Sequence, residues 1–219
     1  MPRLLFEKTG NAVWISHLDL MRLFQRAFKR AGLPLTHTQG FNPRPSVSIA
    51  LPLSVGVESR CELLDFDLNA ENVPLEDVRH RLNHALVEGV KVLQVYENGI
   101  KLRDLALLKC EVTLGYDNTC PAGAEVEIQK LFASDSLTVE KKTKNGMQEQ
   151  DIIPMIRNIG IRKGDEHTII IDALVCCQNP TLNPMQIAAA IDRYLPSFKP
   201  DHSTCRRMEL YDTEENVFR

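Results

Sequence analysis

The chain has 219 residues, of which 43% are apolar and 25% charged, and a formal net charge of −3. This composition is typical of a folded globular protein and excludes a disordered chain. No apolar run approaches the roughly 20 residues that span a bilayer and no signal-peptide pattern precedes Phe6, so we expect a cytoplasmic protein without a membrane segment.

Hydrophobic periodicity predicts a β-α-β-β-α-β order in the first half of the chain. The predicted elements are a strand at 2–8, a turn at Gly10, a short strand ending at Ile15, a helix at 17–31, strands at 46–52 and 60–68, a helix at 75–88 and a strand at 90–97. This order is the ferredoxin-like plan, in which helices cover one face of an antiparallel sheet.

The helix at 17–31 has a clear beginning and end. Ser16 followed by Asp19 is a capping-box start. Gly32 predicts a left-handed cap, and Pro34 prevents the helix from continuing. The apolar residues recur at helical spacing and predict a buried face: Leu20, Met21, Phe24, Ala27, Phe28 and Ala31.

A row of basic residues occupies the other face of this helix and leads into an unusual loop. The row consists of Arg22, Arg26, Lys29 and Arg30. The loop contains Gly40, Pro43 and Pro45, which predict a defined backbone, and it carries the polar residues His37, Gln39, Asn42 and Arg44. The alternative is an ordinary Pro-rich connection beside a solvated helix face.

Four strings in this region resemble a bacterial family, the uncharacterised radical SAM-associated (radical SAM-linked) proteins. The strings are K-T-G-N-A-V-W-I-S-H-L-D-L-M-R, R-A-G-L-P, Q-G-F-N-P-R-P and L-P-L-S-V-G-V-E-S. Members lie beside, or are fused to, radical SAM enzymes that carry a cobalamin-binding domain. The resemblance covers about the first third of the chain. It implies an accessory role next to such an enzyme and supplies no catalytic residue.

The second half repeats the pattern loosely. The predicted elements are a strand at 107–116, a helix at 122–133, strands at 136–142, 148–157 and 168–175, a helix at 184–194 and a strand at 205–211, with a hairpin turn at Asn145 and Gly146. A hinge at 97–104 separates the halves. We therefore predict an α+β protein of two ferredoxin-like βαββαβ-type units, 1–100 and 101–219, with one larger α+β domain as the alternative.

Charge is distributed unevenly between these halves. Residues 1–60 contain eight Lys or Arg against three Asp or Glu, a local charge of +5, so the remainder carries −8. An anionic partner would meet the basic amino-terminal unit. The candidate binding residues are Arg22, Arg26, Lys29, Arg30, His37, Gln39, Phe41, Asn42 and Arg44. Phe41 either stacks on a base or lies buried under the loop.

Metal and cofactor motifs are missing from the sequence. The six cysteines form no C-x-x-C pair and no C-x-x-x-C-x-x-C motif, which predicts reduced structural thiols and excludes this chain as the radical SAM enzyme itself. His80 and His84 have the spacing for joint metal ligation, but no third ligand lies nearby in sequence. We expect neither a metal nor a cofactor.

His17 is the one candidate for catalysis. An imidazole at a helix amino terminus beside Ser16 and Arg22 could act as a general acid or base on a phosphodiester. The element order is also similar to that of ferredoxin-like endoribonucleases, which process CRISPR repeat RNA. A packing role at the capped helix is the alternative.

The sequence therefore favours a non-catalytic accessory subunit of a cobalamin-binding radical SAM enzyme encoded nearby. In this hypothesis the chain presents an RNA substrate, such as tRNA or rRNA, for modification by the partner. The alternatives are an RNA-processing endoribonuclease and a module that only docks a protein.

Overall fold

The computed structural model describes residues 1–70, 72–143 and 146–219. The hairpin turn predicted at Asn145 and Gly146 includes residues 144 and 145 and so lies outside the described residues. The chain divides into two compact units, Met1–Leu102 with Arg219, and Arg103–Phe218. Each unit is α+β, and the described part of the chain contains four α-helices.

The first unit is an antiparallel sheet with two helices. Its elements are β1 (Arg3–Lys8), α1 (His17–Arg30), β2 (Val47–Ile49), β3 (Glu58–Phe66), α2 (Leu75–Ala85) and β4 (Val90–Tyr96). The strand order is β4-β1-β3-β2, and each of these pairings is antiparallel. The predicted order of helices and main strands is confirmed for this unit.

Aromatic side chains hold α1 on the sheet. The rings of Phe6 on β1 and Phe24 on α1 lie 4.8 Å apart between centroids, edge to face. Phe28 on α1 contacts Phe66 on β3 at 5.1 Å. All four rings are fully buried. Leu20 and Ala27 are also buried, so the apolar face predicted for this helix is confirmed.

The prediction of a short strand ending at Ile15 is wrong. Residues Gly10–Trp14 form a 3₁₀ helix instead. The side chain of Lys8 is 1% exposed, and its Nζ donates hydrogen bonds to the carbonyl oxygens of Val13, at 3.1 Å, and Ile15, at 2.8 Å. A buried ammonium needs such acceptors, and a turn of chain brings both carbonyls to it.

α1 ends as predicted, at a glycine in the left-handed region. Gly32 has φ +63°. The amide of Leu33 donates to the carbonyl of Phe28 at 2.9 Å, and the amide of Gly32 donates to that of Lys29 at 3.1 Å. These two bonds form a Schellman motif. Arg81 on α2 adds hydrogen bonds to the carbonyls of Ala31 and Gly32.

Replacing Gly32 by alanine is expected to lower the free energy of unfolding by about 1–2 kcal/mol, because a side chain is disfavoured in the left-handed region. The added Cβ would also lie 2.9 Å from Nη2 of Arg81 and displace it. Urea denaturation measures the loss. Gly160→Ala is the control, since Gly160 has no positive φ and open space around a Cβ. Equal effects at both positions would contradict this account of the cap.

The described residues of the second unit form four main strands, two helices and a separate two-stranded sheet. Its elements are β5 (Leu105–Gly115), α3 (Ala124–Phe132), β6 (Thr138–Thr143), β7 (Gly146–Asp151), β8 (Ile156–Lys163), β9 (Thr168–Cys176), α4 (Met185–Tyr194) and β10 (His202–Asp212). The main strands lie in the order β10-β5-β9-β8, all antiparallel. β6 and β7 pair with each other as a two-stranded sheet.

The prediction of a single strand at 148–157 is wrong. The chain leaves β7 at Asp151 and forms a 3₁₀ turn at Ile153–Met155 before β8 begins. The carboxylate of Asp151 accepts hydrogen bonds from the amides of Leu137 and Ile153, and Pro154 stands in the turn. A proline cannot donate a ladder hydrogen bond, so it interrupts the strand at this point.

Candidate nucleic-acid interface

Ser16 and Asp19 fix the amino terminus of α1. The amide of Asp19 donates to the Ser16 hydroxyl at 3.2 Å, and that hydroxyl donates to the Asp19 carboxylate at 2.7 Å. The hydrogen bond from Ser16, together with that from Arg22, lowers the pKa of the Asp19 carboxyl. The Ser16 cap predicted from sequence is confirmed, but the Asp19 carboxylate binds the Ser16 hydroxyl, whereas a complete capping box has it bind the Ser16 amide.

The four cations of α1 are all exposed, but their side chains make different contacts. Arg22 forms an ion pair with Asp19 at 2.9 Å. Nη2 of Arg30 donates to the carbonyl of Ala85 at 2.6 Å, which directs Arg30 towards the end of α2. Arg26 and Lys29 have no side-chain hydrogen bond or ion pair to any residue that the structure describes. These two cations remain available to an anionic ligand.

The Pro-rich loop is a short two-stranded arm, residues 36–46. The amide of Thr38 donates to the carbonyl of Arg44 at 2.9 Å, and that of Ser46 donates to the carbonyl of Thr36 at 2.8 Å. Asp67, just after β3, secures the base of the arm through backbone bonds to Thr36, at 2.9 Å, and Ser46, at 3.1 Å. The defined backbone predicted for this loop is confirmed.

The tip of the 36–46 arm presents an aromatic ring and polar groups. Phe41 is fully exposed, at 107% of its reference area, so its predicted alternative of burial under the loop is wrong. Gln39 and Asn42 are exposed beside it. Gly40 has φ +134°, a conformation that residues with side chains rarely adopt. An exposed ring on a fixed backbone is suited to stacking.

One cavity brings the helix and the arm together. It has a volume of about 440 Å³ and is lined by Lys29 of α1 and by His37 and Pro45 of the arm. Gln25, which the sequence did not single out, also lines it. The other candidate cations, Arg22, Arg26, Arg30 and Arg44, are not among its lining residues. Of the binding residues predicted from sequence, Lys29 and His37 therefore line this cavity together.

His17 is the first residue of α1 and is only half-exposed. Its Nδ1 is buried without a hydrogen-bond partner among the described residues. Ser16 and Arg22, the expected catalytic neighbours, both bind Asp19 instead. The geometry thus favours the packing role of His17 over acid–base catalysis.

An apolar patch near the start of α1 was missed by the sequence analysis. Trp14 is 70% exposed and Val55 52% exposed. The amide of Gly56 donates to the carbonyl of Val13 at 2.9 Å, which brings the segment carrying Val55 to the 3₁₀ helix. The indole of Trp14 would lie 3.5 Å from a Cβ on Gly56. Sequence periodicity could not find this patch, because Trp14 and Val55 come from two turns that lie far apart in sequence.

The cysteines and paired histidines show no ligand set. In residues 1–70, 72–143 and 146–219, no three His, Cys, Asp or Glu side chains are arranged to hold a metal ion. His80 and His84 are exposed, and Nδ1 of His84 lies 3.0 Å from the carbonyl oxygen of His80. The Cys110 thiol donates to the carbonyl oxygen of Ala173 at 3.6 Å, and burial raises the pKa of the Cys177 thiol to about 12.

Among the described residues, no helix combines the length and apolar character needed to cross a bilayer.

Comparisons with known proteins give a family and a fold. A family model described as an uncharacterized protein conserved in bacteria matches residues 2–184. Curated proteins gave no match. A chain in the crystal structure of a Cbf5-Nop10-Gar1 complex is similar at TM-score 0.51 and 8% identity, covering 95% of this chain and 48% of that one. A chain of an H/ACA RNP bound to a substrate RNA containing 2′-deoxyuridine gives TM-score 0.48 at 10% identity, covering 94% and 46%.

The chain thus spans about half the length of both solved chains. Similarity at 8% identity shows a shared α+β fold and nothing about activity.

Proposed function

The chain belongs to the bacterial family DUF2344, and from that premise we propose that it is a non-catalytic accessory protein that binds RNA in the cytoplasm. It presents the RNA to a modifying enzyme. The family match supports the expectation of an uncharacterised bacterial family, and both the radical SAM association and the enzyme partner are part of the proposal.

The observation that carries the proposal is the pairing of available cations with an exposed aromatic arm. Arg26 and Lys29 are exposed on α1 and form no side-chain hydrogen bond or ion pair within the described part of the chain, and Phe41 is fully exposed at the tip of the 36–46 arm. Cations bind phosphates, and a flat ring stacks on unpaired bases. Gln39 and Asn42 add hydrogen-bonding groups for base edges. This combination is typical of single-stranded RNA recognition.

The proposed partner is a cobalamin-binding radical SAM enzyme encoded nearby. The support is the resemblance of the strings around α1 and the arm to radical SAM-associated proteins. The partner supplies the iron–sulfur and cobalamin chemistry, while this chain binds and orients the RNA.

We also propose that both units are ferredoxin-like. Support in the first unit comes from the order β4-β1-β3-β2 with a helix after the first and third strands. The second unit has the equivalent order β10-β5-β9-β8, with the β6-β7 hairpin inserted between α3 and β8. Two units of one plan explain the loose repeat of element order along the sequence.

Co-purification tests the proposal directly. The chain is purified with its neighbouring radical SAM enzyme, bound RNA is identified, and RNA affinity is measured against salt concentration. Three phosphate contacts, from Arg26 and Lys29 of α1 and from Arg44 of the arm, give a slope of about −2.1 in log affinity against log salt for a single strand. No measurable affinity at physiological salt would contradict RNA binding. RNA cleavage that is lost in His17→Ala would favour the endoribonuclease alternative.

Replacing Gly40 by valine is expected to reduce RNA affinity while leaving the first unit folded. The φ of +134° strains a β-branched residue by roughly 1–3 kcal/mol, which local rearrangement of the exposed tip relieves. Thermal melting and RNA binding are compared with wild type. Gly123→Val, at a second positive φ in the other unit, is the matched control for strain alone. Joint loss of folding and binding in Gly40→Val would indicate a purely structural loop.

A further inference from the structure

The cavity between α1 and the 36–46 arm differs in character from the cationic surface beside it. Phe28 and Leu33 are fully buried and form its inner side. Leu35 and Pro45 are half-buried and also line it. A volume of about 440 Å³ lies within the range of roughly 300–1,000 Å³ that small-ligand sites occupy. The cavity is thus large enough for a flat ring and is lined mainly by apolar groups.

The polar groups of the cavity are few and are uncharged or cationic. Gln25 and Lys29 come from α1, and His37 comes from the arm. The described lining residues include no carboxylate. Such a site favours an occupant with apolar faces, a hydrogen-bonding edge and a negative charge.

We infer that this cavity binds the base of an unpaired nucleotide of the RNA, an inference that rests on the proposed function. Nucleobases combine apolar faces with a polar edge, and each is joined to a phosphate. The faces pack against the apolar lining, and the amide of Gln25 offers both a donor and an acceptor to the edge. Lys29 neutralises the attached phosphate.

The arm extends the same site to a second nucleotide. His37 and Phe41 lie on one short arm, with His37 at the cavity and Phe41 at the tip. With one base in the cavity, a further unpaired base of the same strand can stack on Phe41. The substrate class is therefore RNA with more than one unpaired nucleotide, as in a loop or bulge.

Two matched RNA probes test this inference. One is a stem with a bulge of two uridines, and the other has an abasic nucleotide in place of the first uridine. Both carry the same number of phosphates, so the electrostatic contribution is equal. Wild-type protein is expected to bind the uridine probe about tenfold more tightly, because burial of one base contributes that much. In Leu35→Trp, which fills the cavity, the two affinities become equal and the affinity for the abasic probe stays within about twofold.

Controls keep the outcomes distinct. Val126→Trp adds the same ring at an exposed position of α3 in the second unit and should leave the tenfold ratio unchanged. Gln25→Ala, a half-buried position, should reduce the ratio even where Leu35→Trp fails to fold. Equal wild-type affinity for both probes would overturn the base cavity and leave RNA binding intact. Absence of binding to either probe would overturn the proposed function itself.

Discussion

Asp65→Ala is expected to lower the free energy of unfolding by about 3–5 kcal/mol, the largest stability loss of any single substitution considered. Asp65 and Arg3 are direct partners on β3 and β1. Nε and Nη2 of Arg3 donate to the two Asp65 oxygens at 2.6 and 3.1 Å, and Nη1 donates to the carbonyl of Ile100 at 2.8 Å. The Arg3 side chain is only 5% exposed.

Burial explains the size of this loss. Burial alone would lower the pKa of Arg3, but the hydrogen bond and charge of Asp65 outweigh it and raise the pKa. Arg3 thus stays charged, and removal of Asp65 leaves that buried charge without its carboxylate. Urea denaturation gives the loss, and Arg3→Met with Asp65→Leu should recover most of it because both charges are then absent.

Glu149→Ala is the control for this experiment. Glu149 pairs with Arg193 at 3.0 Å, but both side chains are well exposed, at 61% and 43%. Exposed pairs contribute about 0–1 kcal/mol. A loss below about 1 kcal/mol in Asp65→Ala would show that the Arg3 pair does not support the sheet.

Replacing Arg26 and Lys29 together by alanine is expected to cut RNA affinity by about tenfold or more and to flatten the salt slope by about 1.4, which is two phosphate contacts. These two cations are chosen because Arg22 is already paired with Asp19 and Arg30 with the carbonyl of Ala85. Stability should stay within about 1 kcal/mol, since both side chains are exposed. Binding is measured by titration at several salt concentrations.

A matched pair of cations in the second unit controls for charge alone. Arg157 and Lys163 are both exposed on β8. If their replacement flattens the slope equally, the RNA lies elsewhere or binds without a defined site. If the Arg26 and Lys29 variant loses only its protein partner while RNA binding persists, α1 is a protein-docking surface.

Sequence periodicity predicted the elements whose determinants are local. α1 has its cap, apolar face and terminal glycine within 17 residues, Ser16 to Gly32, and all three were confirmed. The defined backbone of the 36–46 arm followed from its glycine and prolines. Its anchor on Asp67 could not be predicted, because the two backbone bonds join Asp67 to Thr36 and Ser46, which lie 31 and 21 positions away in sequence.

The errors also have physical causes. The 3₁₀ helix at Gly10–Trp14 lies over the buried ammonium of Lys8, which binds the carbonyl of Val13, whereas a lysine in a sequence ordinarily indicates an exposed position. The missed break between β7 and β8 had a signal, since Pro154 stood inside the single predicted strand. The cavity beside Lys29 combines Gln25 with Pro45, and periodicity within one element cannot bring such residues together.

Trp14 is the one tryptophan of the chain and lies, largely exposed, in the first unit. Its intrinsic fluorescence therefore reports on that unit alone, whereas far-ultraviolet circular dichroism reports on the helices and strands of both. If the units unfold together, the two signals change at the same urea concentration; separate midpoints would show that the units unfold independently. The position of a single indole thus makes the cooperativity of this two-unit chain measurable without any label.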